Sequence, residues 1–336
     1  MSIKKMSIKK LHLHIENTRK RASIFHTLPA HWAAACTRHR ALARRIDVSF
    51  GWDGDVLETA LTNADLLIGV PGKRDNLAVR APRLKWLHAT SAGVDGVLPL
   101  DWLPRGVFFT NNSGAHGRKA EQYMTMAYNL LNSRMPAIMA NQHRQHWEAL
   151  FSPNLTGKTA VIIGLGDLGE AAARAAQKIG LKVIGVRRSL QKNRHADKIV
   201  TYKQLDKVLP LADFVVLAVP LTAETRGLLS AARMDLMKPT AGVINIARGP
   251  VADYKALEAR LRAGKLGGAI LDVVDPEPLP ATASLWTTPN LIITPHISCD
   301  DGEHYIDISL DLWFENLERF VAGKTLKRRI DAKLGY

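Results

Sequence analysis

A glycine-rich turn in the middle of the chain constrains the fold more than any other part of the sequence. Residues 159–169 read T-A-V-I-I-G-L-G-D-L-G, an apolar run that leads into Gly164, Gly166 and Gly169. The alanine-rich stretch that follows, residues 170–179, favours a helix. A strand, a G-x-G-x-x-G turn and a helix in this order are typical of the site that binds a dinucleotide pyrophosphate.

Each glycine of this turn has its own predicted role. Gly164 allows the tight turn, Gly166 lets the phosphates approach the backbone, and Gly169 lets the helix pack close to the strand. The helix N-terminus then offers unpaired N–H groups to the phosphates. By itself the motif also fits a glycine-bearing turn in an ordinary α/β domain, but the strand before it and the helix after it favour a nucleotide site.

Length and composition limit the class of protein. A chain of 336 residues suggests two domains, and 46% hydrophobic with 23% charged residues is ordinary for a globular protein. We find no apolar run long enough to span a bilayer, and we expect no secretory signal. Cys36 and Cys299 form no disulfide framework or zinc pattern, so we expect a cytoplasmic protein without a metal.

The net charge of +15 is concentrated near the N-terminus. Residues 1–45 contain eleven Lys or Arg and a single acid, Glu16. Such a segment can bind nucleic acid or a membrane surface, or it can be a solvated face beside an anion-binding cleft. The absence of an RNA-binding aromatic motif disfavours nucleic acid. Residues 1–7, part of a repeated M-S-I-K-K, are interpreted as a basic tail.

Strands that alternate with helices predict wound parallel sheets. Strands are expected at residues 11–15, 46–50, 65–70, 85–89, 106–110, 160–163, 182–186, 214–218, 242–246, 268–271 and 291–294, with helices at 31–45, 56–64, 119–132, 135–145, 170–179 and 306–321. The predicted fold is α/β with two such domains. A Rossmann-type nucleotide domain, residues 116–305, is inserted into a flavodoxin-like substrate domain, residues 8–115 and 306–336.

Polar residues gather where several predicted strands end, which is where open α/β sheets bind ligands. Arg248 follows an apolar strand, and a guanidinium there can hold a carboxylate through two hydrogen bonds, although a surface ion pair would give the same pattern. The segment L-D-V-V-D-P-E-P-L-P supplies Asp272, Asp275 and Glu277, unless it is only an acidic turn.

His296 lies just past a strand and a proline in I-I-T-P-H-I-S-C. A lone histidine is usually structural, but one with a carboxylate within reach is a natural proton donor near neutral pH. Glu277 is the candidate partner. In H-A-T-S-A-G-V-D, small residues and Gly93 can expose successive N–H groups to an anion. Together these features suggest hydride transfer to the carbonyl of a small acid.

The motifs resemble the D-isomer-specific 2-hydroxyacid dehydrogenase family over roughly residues 65–324. S-A-G-V-D, N-S-G-A-H-G, G-L-G-D-L-G, P-L-T-A-E-T, N-I-A-R-G, L-D-V-V-D-P-E-P-L-P and T-P-H-I-S occur in the family's order. The resemblance implies that Arg248 binds the substrate carboxylate and carbonyl, that His296 is the acid/base and that Glu277 raises its proton affinity. The N–H groups of Ala92 and Gly93 would also hold the carboxylate.

The resemblance further implies a homodimer that acts on a small 2-keto or 2-hydroxy acid. Asp272 would bind the nicotinamide carboxamide. The residues expected to contact the cofactor are Gly164, Gly166, Asp167, Leu168, Gly169, Arg187, Arg188, Ser189, Val219, Pro220, Ile246, Ala247, Asp272 and His296.

The residues after the strand at 182–186 bear on the choice of cofactor. An NAD enzyme usually places an acid there to hold the ribose 2′-OH, whereas this chain has Arg187, Arg188 and Ser189. Arginine suits a 2′-phosphate, so the chain looks like the NADP-preferring glyoxylate or hydroxypyruvate reductase branch. The alternatives are an arginine pair that only faces solvent, and use of NAD.

A second function class shares this fold. Corepressors of the C-terminal-binding-protein type bind nicotinamide nucleotides as interaction switches, and the basic N-terminal segment gives that alternative some support. Turnover of a 2-keto acid would favour the enzyme, while nucleotide-dependent partner binding without turnover would favour the corepressor.

Overall fold

This computed structural model describes residues 10–332, 334 and 335. These residues form two parallel sheets with intervening helices. The basic tail expected at residues 1–7 lies outside the described residues. The chain divides into two compact units. The second unit is His116–Asp300, and the first contains the residues before and after it.

The first unit has a five-stranded sheet in the order β2-β1-β3-β4-β5, with every neighbouring pair parallel. This is the flavodoxin-like order. Its strands are β1 (Leu11–Asn17), β2 (Ile46–Trp52), β3 (Leu66–Ile68), β4 (Trp86–His88) and β5 (Phe108–Thr110), and the helices among them are α1 (Pro29–Arg38), α2 (Arg40–Ala43), α3 (Leu57–Leu61) and α4 (Leu77–Arg80).

The second unit has a seven-stranded parallel sheet in the order β12-β11-β10-β9-β6-β7-β8. Its strands are β6 (Thr159–Ile163), β7 (Lys182–Val186), β8 (Lys198–Val200), β9 (Phe214–Leu217), β10 (Gly242–Asn245), β11 (Gly268–Leu271) and β12 (Leu291–Ile293). Its helices are α5 (Gly117–Asn132), α6 (Met135–His143), α7 (Asp167–Lys178), α8 (Leu205–Val208), α9 (Ala231–Met234) and α10 (Tyr254–Arg262).

The last helix, α11 (Tyr305–Val321), belongs to the first unit. Ile306, Leu310, Trp313 and Leu317 recur at helical spacing and are all buried, so one apolar stripe faces the core. Trp313 stacks on Trp86 of β4 with ring centroids 5.3 Å apart. This packing joins the end of the chain to the sheet built from its beginning.

The prediction of two wound parallel-sheet domains is confirmed. The separate roles assigned to the two domains, and their limits at residues 115 and 305, stay predictions. The sequence analysis did not find β8, which has only three residues, or α10. The latter is amphipathic, with Leu257 and Leu261 buried and the Asp253 carboxylate accepting a hydrogen bond from the Ala256 N–H at 3.0 Å.

The single helix expected at residues 31–45 is wrong, because His39 interrupts it. This residue has φ −118° and ψ 40°, outside the helical range. Its ring stacks on Phe314 at 4.5 Å, and its Nε2 lies 2.8 Å from Asp311 Oδ1. Both partners are on α11, so tertiary contacts hold His39 away from the helical conformation.

His88 is a buried, neutral histidine at the end of β4. Its Nδ1 lies 2.8 Å from Thr110 Oγ1, and its Nε2 has no hydrogen-bond partner among the described residues. Burial, with a smaller contribution from the charge of Arg328, lowers its pKa to about 3. Histidine in an unfolded chain titrates near pH 6.5, so protons bind the unfolded state first.

We therefore predict that His88 reduces the free energy of unfolding as pH falls from about 6.5 towards 3, and has no such effect above that window. The slope from this one group approaches about 1.4 kcal/mol per pH unit. In His88→Gln, urea unfolding followed by tryptophan fluorescence should depend less on pH between 7 and 5. The exposed His143→Gln should keep the wild-type slope, and an unchanged slope in His88→Gln would contradict the prediction.

Candidate active site

The glycine turn directly follows β6, and its geometry needs glycine at two positions. Gly164 has φ 95°, and a Cβ there would overlap the carbonyl oxygen of Ala218. A Cβ on Gly169 would overlap the carbonyl oxygen of Gly164, so α7 packs directly against the turn. At Gly166 an added Cβ would meet nothing within 4 Å, which leaves open space beside the backbone.

This turn lies where the strand order of the second sheet reverses. The chain passes from β6 to β7 on one side and later crosses to β9 on the other. Open α/β sheets bind ligands at such a switch point. The twelve-residue α7 begins there at Asp167 and Leu168, and its first N–H groups have no partner within the helix. The residues present therefore fit a dinucleotide pyrophosphate.

The other residues predicted to contact the cofactor follow strands of the same sheet. Val219 and Pro220 come after β9, and Ile246 and Ala247 come after β10. Val219, Ile246 and Ala247 are buried. The Pro220 carbonyl accepts a hydrogen bond from Thr225 Oγ1 at 2.6 Å, which fixes the chain as it leaves β9.

The loop after β7 is strongly cationic. Residues 187–196 contain three arginines and one lysine and no acid. Arg187 is half-buried, whereas Arg188 and Ser189 are exposed. Arg187 Nη1 donates to the Gln191 carbonyl at 3.5 Å, so one long hydrogen bond uses only part of its donor capacity.

The structure brings Glu277 and His296 together. His296 Nδ1 lies 2.8 Å from Glu277 Oε2, and Glu277 Oε1 accepts from the Val274 N–H at 3.0 Å. The carboxylate is therefore held at both oxygens. Glu277 follows β11 and His296 follows β12, and these strands are neighbours. The side chains are exposed by 36% and 45% respectively, so a ligand has access to them.

Arg248 follows β10, the next strand of the sheet. Its guanidinium donates to the Ala247 carbonyl at 2.7 Å, and its own carbonyl accepts from Asn245 Nδ2 at 3.0 Å. The same Asn245 amide donates to the Tyr254 hydroxyl at 2.8 Å, which donates to the Val273 carbonyl at 2.6 Å. The loop that carries Arg248 is thus linked to the loop that leads to Glu277.

His296 has a backbone conformation that is rare for a residue with a side chain. Its φ is 56°, in the left-handed region. Its N–H donates to the carbonyls of Asp272 at 2.8 Å and Thr294 at 3.0 Å. Such a conformation persists only where the surroundings determine it fully.

The Asp272 carboxylate fixes much of the loop around His296, and the sequence alone did not predict this role. The residue is 2% exposed. Its Oδ1 accepts from Thr294 Oγ1 at 2.6 Å, from the Ile297 N–H at 2.9 Å and from the Ser298 N–H at 3.1 Å. The spacing of these residues gives no signal of the contacts. Binding of the nicotinamide carboxamide by Asp272 stays a prediction.

Two further groups near Asp272 also escaped the sequence analysis. The Tyr123 hydroxyl of α5 lies 2.7 Å from Thr294 Oγ1, and burial raises the pKa of Tyr123. Burial also raises the pKa of the Cys299 thiol to about 12. A thiol with this pKa stays protonated near neutral pH.

Ala92 and Gly93 lie in the first unit, in the turn that follows β4. The Ala92 carbonyl accepts from Asn111 Nδ2 at 2.6 Å, and the Gly93 carbonyl accepts from Ser91 Oγ at 2.9 Å. Among the described residues, the N–H groups of Ala92 and Gly93 donate to no acceptor. Two adjacent backbone donors are therefore available to an anion.

Neither a cluster of metal ligands nor a membrane-spanning helix is present among the described residues. No group of three or more His, Cys, Asp or Glu side chains is placed to hold a metal ion. Within the same residues, no helix has both the length and the apolar character that a membrane crossing requires.

Comparisons with known proteins identify the family. Residues 125–298 match the family model described as D-isomer specific 2-hydroxyacid dehydrogenase, NAD binding domain. The chain belongs to this family. The matched segment contains Arg248, Glu277 and His296, together with the glycine turn. The matched segment lies within the second unit, and the family model describes it as an NAD binding domain.

Individual relatives agree with the family model. A glyoxylate reductase from Pyrococcus furiosus is 32% identical over 248 residues, which cover 70% of this chain and 73% of that one. A crystal structure of an NADPH-dependent glyoxylate/hydroxypyruvate reductase from Sinorhizobium meliloti, in complex with NADP and sulfate, has a TM-score of 0.80 at 26% identity, covering 97% of this chain and all of that one. A D-isomer specific 2-hydroxyacid dehydrogenase from Xanthobacter autotrophicus, in complex with NADPH and MES, has a TM-score of 0.82 at 26% identity, covering 98% and 100%.

We predict that Asp272→Asn loosens the loop that carries His296. An amide presents N–H donors as well as an acceptor, so it cannot receive all the hydrogen bonds that the carboxylate receives. Loss of hydrogen bonds to a charged group costs about 1.5–3 kcal/mol, and backbone amides at Ile297 and Ser298 should exchange with deuterium at least tenfold faster.

Asp253→Asn is the matched control for this experiment. Asparagine caps helices as well as aspartate does, so α10 should keep its protection. Unchanged exchange at Ile297 and Ser298 in Asp272→Asn would contradict the role given to the carboxylate.

Proposed function

We propose that the protein reduces a small 2-keto acid, of the glyoxylate or hydroxypyruvate type, to the D-2-hydroxy acid. The observation that carries this proposal is the 2.8 Å pair of His296 Nδ1 and Glu277 Oε2, on the sheet edge that also carries Arg248. The names of the Pyrococcus and Sinorhizobium relatives support this substrate class.

Each side chain of the site has a separate role in the proposed reduction. A nicotinamide cofactor held at the glycine turn would supply a hydride to the carbonyl carbon. Arg248 holds the substrate carboxylate and polarises the carbonyl, and the N–H groups of Ala92 and Gly93 hold the same carboxylate. His296 Nε2 gives a proton to the carbonyl oxygen, while Glu277 at Nδ1 stabilises the protonated ring. One hydride and one proton convert the carbonyl group to the alcohol.

His296→Ala should lower kcat by about 10²–10⁴-fold, because general acid catalysis contributes this much. NADPH affinity, measured by fluorescence titration, should weaken far less than kcat falls. His304→Ala, which removes an exposed histidine paired with Asp301, is the control and should keep wild-type kcat. A near wild-type kcat in His296→Ala would refute the assignment.

Glu277→Gln keeps the size of the side chain but removes the negative charge beside Nδ1. The imidazolium then loses its charged partner, so the pH–rate profile for reduction should lose activity at lower pH than in the wild type. Superimposable profiles would remove Glu277 from the mechanism.

We propose that NADPH is preferred over NADH. The cationic loop after β7 supports this preference, because a guanidinium can meet the 2′-phosphate with charge-assisted hydrogen bonds. Arg187→Asp should reverse the ratio of the NADPH and NADH dissociation constants, since a carboxylate accepts from the ribose 2′-OH and repels the phosphate. A change of about ten- to hundredfold is expected from bonds of 1.5–3 kcal/mol.

Lys182→Asp makes the same charge change at the other end of β7 and should leave the ratio nearly unchanged. If Arg187→Asp binds the two cofactors in the wild-type ratio, the arginine pair only faces solvent and carries no preference.

We also propose a homodimer formed through α6 and the segment after it. Trp147 and Phe151 are 98% and 89% exposed, and Met139 nearby is 45% exposed. Exposed apolar groups this close in sequence are typical of an interaction surface. The Trp147→Ser, Phe151→Ser double variant should sediment at the chain mass of 37.0 kDa, and the wild type and the exposed Val79→Ser at twice that mass. A wild-type monomer would exclude the dimer.

Two further expectations stay predictions. The cytoplasmic location rests on Cys36 and Cys299, which are both free thiols, and cell fractionation would test it. The relatives named above are all described as reductases or dehydrogenases, so the corepressor alternative gains no support from them.

A further inference from the structure

A cavity of about 600 Å³ lies within the first unit, at the carboxyl end of its sheet. Its walls come from the segments that follow β1, β2, β3 and β4. The strand order reverses between β1 and β3, so the cavity covers the switch point where a flavodoxin-like sheet binds its ligand. Cavities of this volume accommodate ligands much larger than a two-carbon acid.

The carboxylates that line the cavity already have partners. Glu16 accepts from the Gly54 N–H at 2.6 Å and is paired with the buried His14 at 2.9 Å. Asp53 forms an ion pair with Arg19 at 2.8 Å.

The third carboxylate of the lining, Glu58, forms an ion pair with Arg80. Each acid in the wall thus has a hydrogen-bond or ion-pair partner other than Lys20, Arg21 and Lys73.

Three cations of the lining differ from these carboxylates in having no ion-pair partner among the described residues. Lys20, Arg21 and Lys73 form no ion pair with any carboxylate in the described part of the chain. With Arg80, the lining contains four Lys or Arg and three carboxylates, and an excess of positive charge around a half-enclosed space favours an anion there. The cavity thus has positive charge available to a ligand.

Arg21 is held in position for such a ligand. Its Nη1 donates to Thr90 Oγ1 at 3.0 Å, and its guanidinium carbon lies 4.1 Å from the centre of the Phe25 ring. A guanidinium carries five N–H donors, and the hydrogen bond to Thr90 uses one of them. Because the side chain is already fixed, an anion binds without the full entropic cost of ordering it.

The cavity is continuous with the proposed carboxylate-binding turn. Thr90 and Ser91 line the cavity, and the chain then continues directly to Ala92 and Gly93. The proposed carboxylate-binding N–H groups therefore follow closely, along the chain, on Thr90, which Arg21 contacts.

We propose that this cavity binds a second anionic group of the substrate, a carboxylate or a phosphate at the end opposite the 2-keto acid. This inference rests on the proposed function, because it concerns the same substrate. Arg21 is the main anion-binding side chain and Lys73 supports it from the segment after β3. The preferred substrates are dianionic 2-keto acids, and glyoxylate is a smaller acid that leaves these cations unpaired.

The test compares kcat/KM of the full-length protein, with NADPH, for two five-carbon acids. One is 2-oxoglutarate, which has a distal carboxylate, and the other is 2-oxopentanoate, which has a methyl group there. The wild type should prefer the dianion at least tenfold. A third probe, 3-phosphohydroxypyruvate, distinguishes the two anions, because a higher value than for 2-oxoglutarate identifies phosphate as the preferred group.

Variants assign the preference to the cavity. Arg21→Met should lower the ratio of the two kcat/KM values at least tenfold and leave the value for 2-oxopentanoate within about threefold. Arg21→Lys, which restores a charge without the planar fork, should recover part of the ratio, and Lys73→Met should lower it less than Arg21→Met. Arg40→Met is the matched control, because Arg40 is exposed and does not line the cavity, and it should keep the wild-type ratio.

The outcomes separate the two proposals. If no 2-keto acid is reduced, the proposed function fails. If glyoxylate and 2-oxopentanoate are reduced but neither dianion is preferred, the proposed function stands and the second anion site is overturned. The same holds if the dianions are preferred and Arg21→Met leaves that preference unchanged.

Discussion

The buried carboxylate of Asp272 controls the backbone on which the proposed proton donor depends. His296 has a left-handed conformation, which is costly for a residue with a Cβ, and the loop around it must be fixed from several directions. Asp272 receives Thr294 Oγ1 and the N–H groups of Ile297 and Ser298, and its own carbonyl receives the His296 N–H. A carboxylate accepts hydrogen bonds without donating any, which allows three donors to converge on it. Once this loop is fixed, the imidazole can meet Glu277.

The two sheets share an arrangement that suits the proposed binding of anions. Each has a point where the strand order reverses, and each places loops with available N–H groups or cations at the carboxyl ends of its strands. In the second unit the glycine turn and α7 supply backbone donors. In the first unit the turn at Ala92 and Gly93 does so, with Arg21 and Lys73 nearby. The parallel arrangement creates these positions, and the side chains decide which anion fits.

The sequence predicted those features that depend on local pattern. Alternating strands and helices, and the order of motifs around Gly164, were enough for the fold class. Polar residues after predicted strands indicated Arg248, Glu277 and His296, and in the structure these residues follow the neighbouring strands β10, β11 and β12. They come to one edge because parallel strands have their carboxyl ends at the same edge of a sheet, and their roles stay predictions.

The features that the sequence did not predict depend on contacts between distant residues. His39 leaves the helical conformation because of partners on α11. The hydrogen bonds of Asp272 connect residues more than twenty positions apart, and no sequence spacing predicts such contacts. The sequence allowed two interpretations of the basic segment that contains Arg21, a solvated face or a face beside an anion-binding cleft. The structure relates this segment to a cavity because Arg21 contacts both Thr90 and Phe25.

The position of α11 has a consequence for how the protein is made. The second unit is continuous in sequence, whereas the core of the first unit needs Trp313 and Phe314 from the end of the chain. Domains generally fold as units during synthesis. The second unit therefore emerges from the ribosome before α11, the helix that packs on Trp32 and Trp86, is complete. Until α11 has been made, these two tryptophans lack their partners and the core of the first unit cannot close.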